Sequence, residues 1–153
     1  MREEGFSLIE VIVVIGIAGI LMAIATLQFN EWTRKSNIEA QTKMMYADLM
    51  TVRGEALFRK KERIVRLTGN QFSVYSSNMA AGTPVLRKTL NYPIVGTGDI
   101  TFDTQGLTND LMSICVEPAG NPGAIDSIVV LRSRIQMGKR SAGDCSGGNI
   151  ERK

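Results

Sequence analysis

The chain contains no histidine, and it has only two cysteines and four prolines among its 153 residues. The lack of histidine removes the commonest general base and the commonest metal ligand of proteins. The sequence also contains no glycine-rich phosphate-binding loop, no nucleophile elbow and no paired acids with an evident cleft. These absences argue against an enzyme, and from them we predict no cofactor and no metal centre.

One spacing of oxygen-bearing side chains is nevertheless compatible with calcium. The first, third, fifth and twelfth places of a calcium loop are occupied by Asp99, Thr101, Asp103 and Asp110. The sixth place, however, is Thr104 where the loop requires glycine, and the stretch 100–102 has the pattern of a strand. We therefore predict no metal site in this segment.

Charge is absent from Val11 to Leu27, and Glu10 is the one ionisable residue between Leu8 and Leu27. A helix from Leu8 to Leu27 would be about 30 Å long, which is the thickness of the hydrocarbon core of a bilayer. We predict a membrane-spanning helix. A buried helix of a soluble domain is an alternative, but the segment has almost no polar face. A cleaved secretory signal is another, but MREEG carries more acid than base, and the residues after Ala25 form a poor cleavage site.

The helix is expected to continue beyond the membrane, because no proline interrupts the chain from Phe6 to Arg63. Apolar or small residues recur at alternating steps of four and three, which is one stripe of an amphipathic helix: Ile38, Thr42, Met45, Leu49, Val52 and Ala56. Tyr46, Met50 and Leu57 widen this stripe. Gly54 costs about 1 kcal/mol relative to alanine in a helix, and close packing on a sheet would explain it. We predict an amphipathic helix half over residues 31–62.

After the basic run from Arg59 to Arg63, the apolar period changes from helical to that of strands. A β-hairpin is predicted with strands Ile64–Leu67 and Gln71–Tyr75. Further predicted strands are Val85–Leu90, Asp99–Phe102, Met112–Val116 and Ser127–Ile135. The expected fold class is α+β, with the long helix packed on an antiparallel sheet or small sandwich formed by residues 63–153.

The string GFSLIEVIVVIGIAGIL, which begins at Gly5, resembles the N-terminus of type IV pilins and type II secretion pseudopilins. The resemblance implies a pilin-like fold, a leader over residues 1–5 and a membrane or filament-core helix over residues 6–30. It implies that a prepilin peptidase in the membrane cleaves between Gly5 and Phe6 and methylates the new terminus on Phe6. It also implies a bacterial inner-membrane protein whose C-terminal domain is periplasmic. The charges beside the span favour the opposite orientation, because one side has Arg2 and the other Arg34 and Lys35.

In this family the acid at the position of Glu10 is thought to neutralise the terminal amine of a neighbouring subunit, so the resemblance implies an assembly role for Glu10. Gly19 and Ala23 form a small-xxx-small pair that lets helices approach closely, and Gly16 lies one turn earlier. A general abundance of glycine in membrane helices explains these residues equally well. The implied partners are other pilin or pseudopilin subunits, the peptidase and an inner-membrane assembly platform.

The C-terminal part resembles the GspH/FimT branch of the superfamily in two segments, ITFDTQGLT from Ile100 and IVVLRSRIQ from Ile128. In the second segment Ser133 replaces the glycine of a Gly-Arg pair, and Arg134 supplies the arginine. The branch implies a minor subunit of a type IV pilus or of a type II secretion pseudopilus.

Two other functions remain open. The chain could be a DNA-binding minor pilin, because a basic C-terminal tail can neutralise phosphates; the candidate residues are Arg132, Arg134, Lys139 and Arg140. That tail has no aromatic residue to stack on bases. Alternatively, the chain could be a membrane-anchored β domain without a filament role.

The two cysteines, Cys115 and Cys145, lie in the part of the chain expected to face an oxidising periplasm, where disulfides persist. A bridge would tie the glycine-rich tail to a core strand. In the chain-entropy model, closing this loop contributes about 3–4 kcal/mol. Two free thiols are the alternative, because cysteine is common in protein cores.

Overall fold

The computed structural model describes residues 7–76, 82–120, 123, 125–141 and 143–153. Within them the chain forms one helix, α1 (Leu8–Arg59), followed by nine strands. These are β1 (Arg63–Thr68), β2 (Gln71–Tyr75), β3 (Leu86–Thr89), β4 (Ile94–Val95), β5 (Gly98–Phe102), β6 (Met112–Val116), β7 (Ser127–Val130), β8 (Ile135–Arg140) and β9 (Ile150–Arg152). The chain divides into two compact units, Met1–Arg34 and Lys35–Lys153.

The strands form two antiparallel sheets in the second unit. Their orders are β3-β2-β1-β5 and β4-β6-β7-β8-β9. The predicted first hairpin is confirmed, with Thr68 paired to Gln71 across a two-residue turn. The expectation of one long helix packed on antiparallel sheet is also confirmed.

One hydrophobic core joins the second half of α1 to both sheets. All six residues of the predicted helix stripe are buried. They pack with residues from each sheet, such as Phe72 and Phe102 of the first and Ile114 and Ile128 of the second. At one edge of this core Gln41 exchanges two hydrogen bonds with the backbone of Tyr92, at 2.8 and 2.9 Å. The period of apolar residues therefore located the face that packs on the sheets.

The width of that stripe was predicted wrongly on one side. Met50 and Leu57 are exposed, whereas Tyr46 is half-buried and packs against the core as predicted. Close packing does not explain Gly54 either, because a Cβ built there has no heavy atom within 4 Å. Met50, Gly54 and Leu57 lie instead on the side of the helix that the core does not cover.

The C-terminal region contains more structure than the sequence predicted. The single strand expected over Ser127–Ile135 is two strands, because the chain turns between Val130 and Ile135, where the Leu131 N–H donates to the Arg134 carbonyl. The expected basic tail forms β8 and β9 at the edge of the second sheet. Its end is bonded too, since the Lys153 N–H donates to the Met137 carbonyl at 3.0 Å.

Candidate functional site

The first candidate site is the N-terminal part of α1. The helix begins after Ser7, whose carbonyl accepts hydrogen bonds from the backbone N–H groups of Glu10 and Val11. Glu10 lies in the first turn and is exposed. A negative charge at this end of a helix interacts favourably with the helix dipole. Gly5 and Phe6 lie outside the described residues.

Apolar side chains cover every side of this helical segment and are exposed. They include Leu8, Ile12, Ile15, Ile20 and Ile24. Among the described parts of the chain, α1 is the one helix long and apolar enough to cross a membrane. A surface of this composition is stable in lipid or against other apolar helices, and unstable in water.

The small residues of the segment have no role in packing the isolated first unit. A Cβ built at Gly16 or at Gly19 has no heavy atom within 4 Å. Ala23, one turn after Gly19, is exposed. These positions leave room on the helix surface for the backbone of another helix to approach.

The two cysteines form a disulfide in the second unit. Cys115 of β6 is bonded to Cys145, with the sulfurs 2.01 Å and the Cα atoms 5.9 Å apart. Beside it a small second cluster contains Val129 and Ile150. The bridge thus holds the segment before β9 against the second sheet, as the sequence predicted.

The four cations proposed for DNA binding have two different environments. Arg132 and Arg134 are exposed in the turn between β7 and β8. Lys139 Nζ instead donates to Asp126 Oδ2 at 3.0 Å, and Arg140 Nη1 donates to Glu117 Oε1 at 3.0 Å. The Arg140 side chain is buried. The structure therefore does not present the four as one exposed basic patch.

Asp126 is a buried acid that sequence reasoning missed. Burial alone would raise the pKa of its carboxyl, but the Arg140 backbone N–H, the Ser127 hydroxyl and the Lys139 ammonium donate to it and hold the pKa below its usual range. Asp126 directly precedes β7 and its carboxylate contacts β8, so it joins two neighbouring strands of the second sheet. A lone acid before an apolar run gave no sequence signal, because Lys139 and Arg140 lie on β8, a strand that was not predicted.

The acids of the calcium-like spacing have partners within the protein. Asp99 accepts two hydrogen bonds from Arg66, at 2.8 and 2.7 Å, and this contact lowers the pKa of the Asp99 carboxyl. Asp110 accepts a hydrogen bond from the Thr101 backbone. The residues that the structure describes contain no group of three acidic, cysteine or histidine side chains that could hold a metal ion.

Comparison with known proteins supports the N-terminal motif. Residues 1–26 match the family model described as the prokaryotic N-terminal methylation motif. No curated protein matches the chain.

Two crystal structures of the type IV minor pilin FimU from Pseudomonas aeruginosa are similar to the chain. The first has 14% sequence identity and a TM-score of 0.56, and the match covers 69% of this chain and 91% of that one. The second has 15% identity and a TM-score of 0.50, covering 65% and 90%. At these identities the similarity establishes the fold alone.

Proposed function

We propose that this chain is a member of the type IV pilin superfamily, as its N-terminal motif and its fold indicate, and a minor subunit of a type IV pilus or of a type II secretion pseudopilus. The observation that carries the proposal is the position of the methylation motif on a helix whose apolar side chains are exposed on every side. The apolar side chains of such a segment are stable only against lipid or against apolar helices of other subunits.

The proposal includes processing by prepilin peptidase. Water hydrolyses the peptide bond between Gly5 and Phe6, and Phe6 becomes the N-terminal residue. A methyl donor bound by the peptidase then transfers its methyl group to the Phe6 amine, which loses a proton. The chain is the substrate of this chemistry. Before assembly α1 anchors the subunit in the bacterial inner membrane, with the second unit in the periplasm, and an inner-membrane platform assembles it with other pilin or pseudopilin subunits.

Glu10 gives this assembly a polar contact. It lies four residues from the amine that cleavage would create at Phe6, and residues 11–24 carry no charge. An unpaired carboxylate among apolar helices has a high desolvation cost, whereas attraction to the amine of a neighbouring subunit offsets much of that cost for a paired carboxylate. The pair would therefore select one axial offset between neighbouring helices.

Intact mass of the protein purified from its native membrane tests the processing. We expect loss of Met1–Gly5 and a gain of one methyl group. Retention of MREEG in cells with an active peptidase would contradict the proposal and favour a membrane-anchored β domain. The same protein from cells without the peptidase is the control.

A substitution of Glu10 tests the assembly role separately. Glu10→Gln keeps the shape of the side chain and removes its charge, so we expect normal cleavage but little incorporation into filaments. Glu31→Gln, a charge loss on the same helix outside the apolar stretch, is the matched control. Equal incorporation of Glu10→Gln and the wild type would remove Glu10 from the assembly mechanism.

DNA binding in DNA uptake is the alternative function, and the geometry supports it less. Only Arg132 and Arg134 of the four cations are exposed, since Lys139 and Arg140 are paired with acids. If the chain binds DNA there, Arg132→Ala with Arg134→Ala should weaken binding at every DNA sequence and reduce its salt dependence. Unchanged affinity of that double variant would exclude this site.

A further inference from the structure

Two aromatic side chains follow the apolar stretch of α1 and are exposed in the first unit. Phe29 is 63% exposed and Trp32 is 64% exposed. Their ring centres are 6.4 Å apart, and residues three apart lie on the same side of a helix. The core of the second unit includes neither of them. Two large neighbouring aromatic rings exposed to water are unfavourable, so this pair requires a partner outside the described fold.

The position of the pair along the helix identifies that partner. Trp32 comes five residues after Leu27, the last residue of the apolar stretch that begins at Leu8. At a rise of 1.5 Å per residue this is about 7.5 Å beyond the end of that stretch. The headgroup layer on each side of a bilayer is about 5–8 Å thick. When Leu8–Leu27 fills the hydrocarbon core, the Trp32 ring therefore lies at the level of the headgroups.

The polar groups around the pair fit the same layer. Tryptophan is enriched at this depth because its ring is apolar and its indole N–H can bond to headgroups or water. Glu31 lies between the two aromatic residues, and Arg34 and Lys35 follow after Thr33 and can contact lipid phosphates. Thr33 Oγ1 donates to the Phe29 carbonyl at 2.8 Å, so this hydroxyl is bonded within the helix.

We propose that Phe29 and Trp32 form an interfacial anchor that binds the headgroup layer of a phospholipid bilayer at the end of the apolar stretch. The inference rests on the proposed function only in that α1 spans a membrane. It does not depend on processing at Gly5, on assembly, or on which machine the subunit serves.

Trp32 is the single tryptophan of the chain and reports directly on the proposal. The full chain is reconstituted in vesicles of phosphatidylethanolamine and phosphatidylglycerol, and its emission is recorded with lipids brominated either near the headgroup or near the bilayer centre. We expect emission at a shorter wavelength than in water and stronger quenching by the bromines near the headgroup. Emission as in water without quenching would overturn the proposal, and so would stronger quenching by the central bromines.

Variants with the single tryptophan at other positions test the anchor and the membrane span independently. In a Trp32→Phe background, Phe29→Trp should also be quenched best near the headgroup, whereas Ile17→Trp should be quenched best at the bilayer centre. Met50→Trp, exposed on the second unit, should not be quenched. Central quenching of Ile17→Trp together with a water-like Trp32 would refute the anchor and leave the span intact. Absence of central quenching at Ile17→Trp would refute both the span and the anchor.

Discussion

The residues of α1 before and after Arg34 share one helical backbone but differ in what their apolar side chains contact. Before Arg34, side chains such as Val11 and Ile20 are exposed although they are as apolar as any core residue. After Arg34, Met45 and Leu49 are fully buried against the sheets. The arrangement of apolar residues, more than their number, distinguishes the halves: a stripe has its partner inside the chain, whereas a segment that is apolar on all sides needs one outside.

A charge in the buried stripe should have the largest effect on the second half. Leu49→Asp removes a fully buried side chain and places a carboxyl in the core, so we expect a loss of more than about 4 kcal/mol of unfolding free energy. Urea denaturation of the full chain in non-ionic detergent, followed by circular dichroism, measures this. The neighbouring Met50 is 40% exposed, and Met50→Asp should change stability by less than about 0.5 kcal/mol. Equal losses of unfolding free energy in the two variants would mean that Leu49 is not buried against the sheets while Met50 is exposed.

Removal of the disulfide should have the next largest effect, again confined to the second unit. Replacing Cys115 and Cys145 together by alanine frees a loop with a sequence separation of 30, and we expect a loss of about 3–4 kcal/mol. A reductant should lower the urea midpoint of the wild type to a similar value and leave that of the double variant unchanged. A reductant-insensitive wild type would contradict the bridge.

Asp126→Asn should destabilise the second unit at neutral pH by about 1.5–3 kcal/mol, because three donors lose a charged acceptor. Folding lowers the pKa of the Asp126 carboxyl, so its contribution is present above the ordinary aspartate pKa of about 4 and is lost as the pH falls through the lower folded value. The difference between variant and wild type should therefore shrink below about pH 4. A difference independent of pH would show that the charge of Asp126 does not contribute.

Gly54→Ala should have the smallest effect and the opposite sign. A Cβ at Gly54 meets open space and alanine favours a helix, so we expect a gain of about 1 kcal/mol in the subunit. Gly138→Ala is the contrasting change, because a Cβ there would overlap the Ile150 side chain and the Glu151 backbone and should destabilise. Increased subunit stability of Gly54→Ala with reduced incorporation into filaments would show that a neighbouring subunit packs against this helix position.

Most of the fold could be predicted from the periodicity of apolar residues and from the turn residues. The buried stripe from Ile38 to Ala56 and the first hairpin were predictable, because local patterns of period 3.6 and 2 determine them. The strands after Val130 were not, because the Leu131–Arg134 turn contains no glycine or proline and β8 has little alternation. β8 nevertheless pairs with β7 across this short turn, with Val130 opposite Ile135, so it was missed because its sequence lacks turn and strand signals.

The candidate site was predictable to different degrees. The uncharged helix with Glu10 at its start is visible in the sequence, because an absence of charge over this length is itself a signal. The partners of Lys139 and Arg140 are not, because Asp126 and Glu117 lie 13 and 23 residues away and approach only through the sheet. Counting the basic residues of this segment in the sequence therefore overestimated its exposed positive charge.

The apolar first half of α1 has a consequence for how such a helix could leave a membrane. Its backbone hydrogen bonds are satisfied within the helix, so moving it from lipid to a bundle of similar helices breaks none of them. Its side chains exchange one apolar surrounding for another, so the hydrophobic effect favours neither state by much. In the proposed assembly, the direction of the transfer depends on the few features that lipid cannot match, which are the carboxylate of Glu10 and the close approach that Gly16 and Gly19 permit. The free energy of such a segment is therefore similar in lipid and in a bundle of helices, and a small number of specific contacts determines which of the two it occupies.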